Sequence, residues 1–127
     1  MQNTPVISIV DDDEGVRLAL HSLVRSLGYG SNVFASAEEF LESLHLSLTS
    51  CLISDVQMPG MNGIELQSRL KLLGCGAPVI FVTAYPDDRS RMRALEGGAI
   101  GFLEKPFEEP ALIGLIEIAL RANPSRD

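Results

Sequence analysis

Residues 78–84, PVIFVTA, carry no polar side chain until Thr83. A strand with one wet face alternates apolar and polar residues, so a run that stays apolar has to be covered on both sides, as in a central parallel strand. Residues 51–55, CLISD, form a second such run, which ends abruptly in Asp55 and then turns on Met58, Pro59, Gly60 and Gly63. In open α/β sheets, ligands gather outside the carboxyl ends of the strands. An aspartate there is a candidate for chemistry, although a single one is more simply read as a turn cap.

The rest of the chain alternates strand and helix signals. Residues 6–10, VISIV, are a short β-branched run that stops at Asp11, Asp12, Asp13 and Glu14. A helix over residues 14–27 follows, with Val16, Leu20, Leu23, Val24 and Leu27 on its apolar stripe. Arg17, His21 and Arg25 lie on the solvated side, and Gly28 is the stop. Residues 32–35 make a weak second strand around Val33 and Phe34. Ser36 and Glu39 fit a capping box, opening a helix that carries Phe40, Leu41, Leu44 and Leu48 and ends before Thr49. Asn62 with Glu65 caps a third helix, turning Leu66, Leu70 and Leu73 inward before Gly74 stops it. Asp87 opens a fourth, to Glu96, with Met92 and Leu95 inward, Arg89, Arg91 and Arg93 in water, and Gly97 and Gly98 at its end. Residues 100–103 form the fifth strand. Glu108, Glu109 and Pro110 suit the first turn of a last helix that runs to about Ala122.

Five strands alternating with five helices imply right-handed crossovers and a parallel sheet with helices on both faces. The doubly wound, flavodoxin-like (βα)5 arrangement of the α/β class, with strand order 2-1-3-4-5, is the best match. That order puts the switch point between the first and third strands. Asp11, Asp12 and Asp55 then share one edge of the sheet, and Thr83 and Lys105 close the next two strands on the same rim.

At 127 residues the chain is the size of one ordinary domain, expected to occupy residues 1–122 with 123–127 as a polar tail or the start of a linker. No apolar run approaches the roughly 18 residues needed to cross a bilayer, and the start, MQNTPVISIV, lacks a secretory signal, so a cytoplasmic location is expected. Cys51 and Cys75 have no metal-ligand spacing and are expected to be reduced. A net charge of -7 argues against direct contact with nucleic acid by this domain.

Three close carboxylates repel one another, so a proton or a cation has to sit among them at neutral pH. All-oxygen ligation without His or Cys favours Mg²⁺, or Mn²⁺ in its place, over zinc. Lys105 adds a fixed positive charge and Thr83 a hydroxyl. A metal, an ammonium and a hydroxyl aimed at one carboxylate describe a site for a phosphoryl group carried on Asp55 as an acyl phosphate. The competing account is a buried ion-pair cluster, which is costly to build.

The segments IVDDDEGVR, LISDVQMPGMNG, VTA and GFLEKPF, taken together, resemble the receiver domain of the two-component response regulators, with its CheY-like fold. The likeness runs the full length, and SAEEFL and KPF make it most similar to the FixJ-type transcriptional regulators. It implies that Asp55 is the phosphoacceptor, that Asp12 ligates Mg²⁺ directly with Asp11 often acting through water, and that Gln57 supplies a backbone carbonyl. It also implies that Thr83 and Lys105 bind the phosphoryl group, that Phe102 is the aromatic switch, and that Lys105-Pro106 is cis. A sensor histidine kinase, or a small donor such as acetyl phosphate, would phosphorylate Asp55. The receiver would catalyse this transfer and its own slow dephosphorylation while being a signalling domain rather than an enzyme. Phosphorylation would remodel the face made by the fourth helix, fifth strand and fifth helix. The output implied is transcription, through a DNA-binding domain absent from these residues.

Two other classes fit the residues less well. An aspartate-nucleophile phosphohydrolase typically has a second Asp two residues on, where this chain has Gln57. A degenerate receiver would lack the acceptor or the lysine, and both are present. Asp13 is expected to cap a helix rather than bind metal. The last helix, ALIGLIEIAL, leaves only Gly114, Glu117 and Arg121 as a narrow polar stripe, so a second buried face is expected, against a homodimer partner or an output domain.

Overall fold

A computed structural model of the chain describes residues 4–44 and 46–122. The tail over 123–127 lies outside the described residues. Five parallel strands, β1 (Val6–Val10), β2 (Gly30–Phe34), β3 (Cys51–Asp55), β4 (Val79–Thr83) and β5 (Gly101–Glu104), stand in the order β2-β1-β3-β4-β5. They alternate with α1 (Glu14–Ser26), α2 (Ala37–Leu41), α3 (Gly63–Leu72), α4 (Asp88–Glu96) and α5 (Glu109–Ala122). This is the expected doubly wound α/β fold. The two-residue period of the strands splits the core in two. Ile7, Ile9, Ile53, Ile80 and Val82 pack against Leu20 and Val24 of α1 and Leu112 and Ile116 of α5. On the other face Val10, Leu52 and Phe81 pack against Phe40 of α2, Leu66 and Leu70 of α3 and Ala94 of α4.

Helix ends follow the capping residues. The Asp13 side chain accepts from Val16 N–H and opens α1, as expected, and Asp87 does the same for α4 with Ser90 N–H. Asn62 and Glu65 form a complete capping box on α3. At α2 the box is offset, because Ser36 accepts from Glu39 N–H while the Glu39 carboxylate accepts from Ala35 N–H instead of closing on Ser36.

Several local expectations are corrected. The second strand begins at Gly30, ahead of the apolar pair that marked it, because pairing with β1 from Val6 to Val10 recruits residues of low strand propensity. The second helix stops at Leu41, and Leu44 and Leu48 are exposed rather than packed. Ala37 and Phe40 are the buried residues of α2, Leu46 packs on the same core in place of Leu44 and Leu48, and just before β3 the Thr49 hydroxyl meets Ser8 Oγ of β1 at 2.6 Å. Leu73 is the exposed C-cap of α3, not a core residue. Met92 and Leu95 also face water. α4 lies on the core through Ala94, with Gln67 of α3 donating to the Ala94 carbonyl at 3.1 Å, so a small side chain and a polar bond seat this helix. His21 is half-buried, and its Nδ1 is 2.7 Å from Ser31 Oγ on β2, so it is a bridging residue rather than a solvated one. On α5, Leu112, Ile116, Ala119 and Leu120 are buried, while Ile118 joins Glu117 and Arg121 on the exposed side and Gly114 is half-buried.

Cys51 and Cys75 are free thiols. Burial in β3 pushes Cys51 up to about 12, which leaves it an inert core group. Among the described residues no helix is long and apolar enough to cross a membrane.

Candidate functional site

The carboxyl ends of β1, β3, β4 and β5 form one rim, and the polar residues that close these strands meet there. Asp11 is fully buried, Asp55 nearly so and Asp12 exposed, and one oxygen of each carboxylate lies within 4.8 Å of the others. The Lys105 ammonium, 94 residues from Asp11 in the chain, donates to Asp11 Oδ2 at 2.7 Å. It reaches Asp55 Oδ2 at 3.4 Å. Parallel register makes this possible, since Thr83 stands opposite Glu104 and the Lys105 N–H donates to the Thr83 carbonyl at 2.8 Å. The expected cis bond between Lys105 and Pro106 is present.

The electrostatics follow from burial. Desolvation, and then the charge of Asp11, hold the Asp55 carboxyl above the usual carboxylate range, against the opposing pull of Lys105. For Lys105, desolvation works to lower the pKa, but the hydrogen bond and charge of Asp11, with those of Asp55, outweigh it and leave the ammonium above its ordinary value. An acidic pocket with one cation for three carboxylates still has room for a positive charge. Its donors are all hard oxygens, with Asp12 and Asp55 lining an open cleft of about 600 Å³ and Asp11 buried behind them, a set that fits Mg²⁺ or Mn²⁺ and no thiophilic metal.

The remaining expected residues lie around this cluster. Thr83 is buried, and its Oγ1 accepts from Tyr85 N–H at 3.2 Å. Gln57 is exposed beside Asp55, its N–H donating to Asp55 Oδ1 at 3.3 Å. Phe102 on β5 is half-buried, 6.4 Å from the Phe81 ring, with the Arg91 guanidinium over its face at 5.9 Å. Two contributors escaped the sequence reading. Arg17, placed on the solvated side of α1, donates to the Asp11 carbonyl at 2.8 Å. The lean of helical side chains toward the helix N-terminus was the available signal. The Tyr85 carbonyl accepts from Gln57 Nε2 at 3.3 Å, a contact between loops 28 residues apart that no local pattern announces.

The profile of the response regulator receiver domain family matches residues 7–117. The chain belongs to that family. Relatives of the receiver include the response regulator protein TodT of Pseudomonas putida, 44% identical over 95% of this chain and 53% of its own length. The transcriptional regulatory protein FixJ of Bradyrhizobium diazoefficiens is 40% identical over 91% of this chain and 56% of its own length. The receiver thus spans about half the length of the curated relatives it matches. Among solved structures, the response regulator StyR is similar with a TM-score of 0.88 and 45% identity, over 95% of this chain and 61% of that one. The FixJ-N structure matches with a TM-score of 0.84 and 35% identity, over 96% of this receiver and 97% of that chain.

Proposed function

We propose that this receiver takes a phosphoryl group onto Asp55 from a sensor kinase phosphohistidine, or from acetyl phosphate, and so switches the face around β5. The observation that carries the reading is the meeting of Asp11, Asp12 and Asp55 with Lys105 on one rim. An Asp55 carboxylate oxygen attacks phosphorus, a P–O bond forms to give the acyl phosphate, and the bond to the donor's imidazole nitrogen or acetate oxygen breaks with its electron pair leaving on the donor. Asp11, Asp12 and Asp55, with the Gln57 backbone carbonyl, would hold Mg²⁺, which when bound neutralises charge on the acids and on the transferring group. Lys105, in contact with Asp11 and Asp55, would offset charge on the transferring group. Thr83 accepts from Tyr85 N–H, which leaves its own proton for a phosphoryl oxygen.

Phe102 is the proposed reporter, turning inward as Thr83 moves toward the phosphoryl group. Met92 and Leu95 on α4, a helix that packs beside β5, and Ile118 on α5 are exposed, and they are the apolar groups on which a second receiver or an output domain would dock. The output we infer is transcription, through a DNA-binding domain outside these residues, in keeping with the name of the FixJ relative. We take the reaction to occur in the cytoplasm.

Incubation with Mg²⁺ and acetyl phosphate, followed by intact mass measurement, tests the reading. One stoichiometric adduct, absent from Asp55→Asn and absent after chelation, is the expected result. Sustained turnover of many phosphate esters would point instead to a hydrolase.

A further inference from the structure

The two glutamates of the SAEEFL motif serve different ends. Glu39 closes the start of α2 through Ala35 N–H. Glu38 reaches across to the loop that follows β3, where its Oε2 accepts from Met61 N–H at 3.0 Å. The approach is close enough that a Cβ built on Gly60 would sit 2.7 Å from the same oxygen, and Gly60 has φ +75°. Glycine suits this position for its backbone angle, and a side chain there would push the Glu38 carboxylate off its present seat. The side chain is exposed, yet the Met61 N–H bond holds the Glu38 carboxyl below its ordinary range, so the contact favours the charged form.

The loop that Glu38 holds is the one that leaves the acceptor strand. It starts at Gln57, whose N–H binds Asp55 Oδ1, and ends where Gly63 N–H donates to the Val56 carbonyl at 2.8 Å. Between those points Glu38 ties the loop tip to α2, a helix that contributes nothing to the acidic cluster. A peptide left to fluctuate has to be ordered again each time its carbonyl is needed, and that ordering weakens binding.

We propose that Glu38 is a positioning residue for the acceptor site, holding the Gly60-Met61 peptide so that the loop presents the Gln57 carbonyl beside Asp55. The inference rests on reading Asp11, Asp12, Asp55 and Gln57 as the Mg²⁺-bearing acceptor site. Removing a group bonded directly to a metal ligand weakens affinity by about 10- to 100-fold; Glu38 bonds Met61, four residues along the loop from Gln57, so its removal should cost about tenfold or less.

The test compares the wild type with Glu38→Ala, Glu38→Gln and Gly60→Ala, measuring Mg²⁺ affinity by titration calorimetry and Met61 amide exchange by NMR. Glu38→Ala is expected to weaken Mg²⁺ binding about tenfold and to speed Met61 exchange, with the thermal midpoint nearly unchanged. Labelling by acetyl phosphate should shift to higher Mg²⁺ and recover at saturation. Glu38→Gln keeps an accepting oxygen and should restore most of the affinity, while Gly60→Ala, which strains the φ +75° backbone as well as displacing the carboxylate, should lose at least as much as Glu38→Ala. Faster Met61 exchange with wild-type Mg²⁺ affinity would reduce Glu38 to a structural tie and overturn the inference alone. A wild-type protein that neither binds Mg²⁺ nor accepts the phosphoryl group would overturn the acceptor-site reading itself, and this inference with it.

Discussion

Asp55 is held in a form that works against folding at neutral pH. Burial and the neighbouring Asp11 charge raise its carboxyl above the usual range. A carboxyl whose folded pKa lies above its unfolded value contributes stability that is complete below the unfolded pKa and is lost as pH rises through the folded one. Without divalent metal, Asp55→Asn should therefore melt a few degrees above the wild type at pH 7. The gap should close as pH falls below the carboxylate range. A lower midpoint for the variant at pH 7, read by calorimetry, would mean that Lys105 outweighs burial. Lys105 shifts in the same direction but titrates in a higher window, so the stability from its raised pKa is fully present at neutral pH, below the ordinary lysine value, and is lost only as pH rises into strong alkali. Removing it leaves the fully buried Asp11 without its ammonium partner. Lys105→Ala should cost about 3 kcal/mol at pH 7 by denaturant titration, since a buried charge loses its counter-ion. Added Mg²⁺ should recover part of that loss, and labelling by acetyl phosphate should fall sharply.

At the scale of elements, apolar content alone misleads about which residues a helix buries. Leu66 and Leu73 lie on the same helical pattern, yet Leu66 is fully buried and Leu73 is 56% exposed at the helix end. Leu66→Ala should cost about 2–5 kcal/mol, the range for a core leucine. Leu73→Ala should stay within about 0.5 kcal/mol, the range for an ordinary surface change. Equal losses in denaturant titrations would contradict the packing. The same distinction explains α4, where the large residues Met92 and Leu95 were expected inside and small Ala94 is found there. A small residue brings the helix backbone close to the sheet and frees the large ones for another surface. Gly63 shows how tightly β3 and α3 are joined, because a Cβ there would overlap the Asp55 carbonyl. Gly63→Ala should cost about 1–3 kcal/mol by overpacking and also slow phosphorylation, seen as a slower approach to full labelling with acetyl phosphate.

For the whole molecule, the parallel sheet is what brings distant residues together, and its β5 edge is where the proposed signal leaves. With beryllofluoride and Mg²⁺, sedimentation velocity should show self-association that Met92→Ser weakens. A monomer at high concentration with and without beryllofluoride would count against pairing through this face. The first, third and fourth strands, the strand order and the rim of Asp11, Asp12, Asp55, Thr83 and Lys105 were legible in the sequence, while the second strand starts two residues ahead of its expected start and the fifth is shifted by one. Buried parallel strands must stay apolar, so a polar residue at a strand's carboxyl end stands out, and few connections are allowed between such strands. The short α2, the outward Met92 and Leu95, the His21 to Ser31 bridge and the reach of Glu38 to Met61 were decided only in three dimensions. Each depends on which surface lies opposite a side chain once the layers have packed, and neighbours in sequence carry no record of that distance.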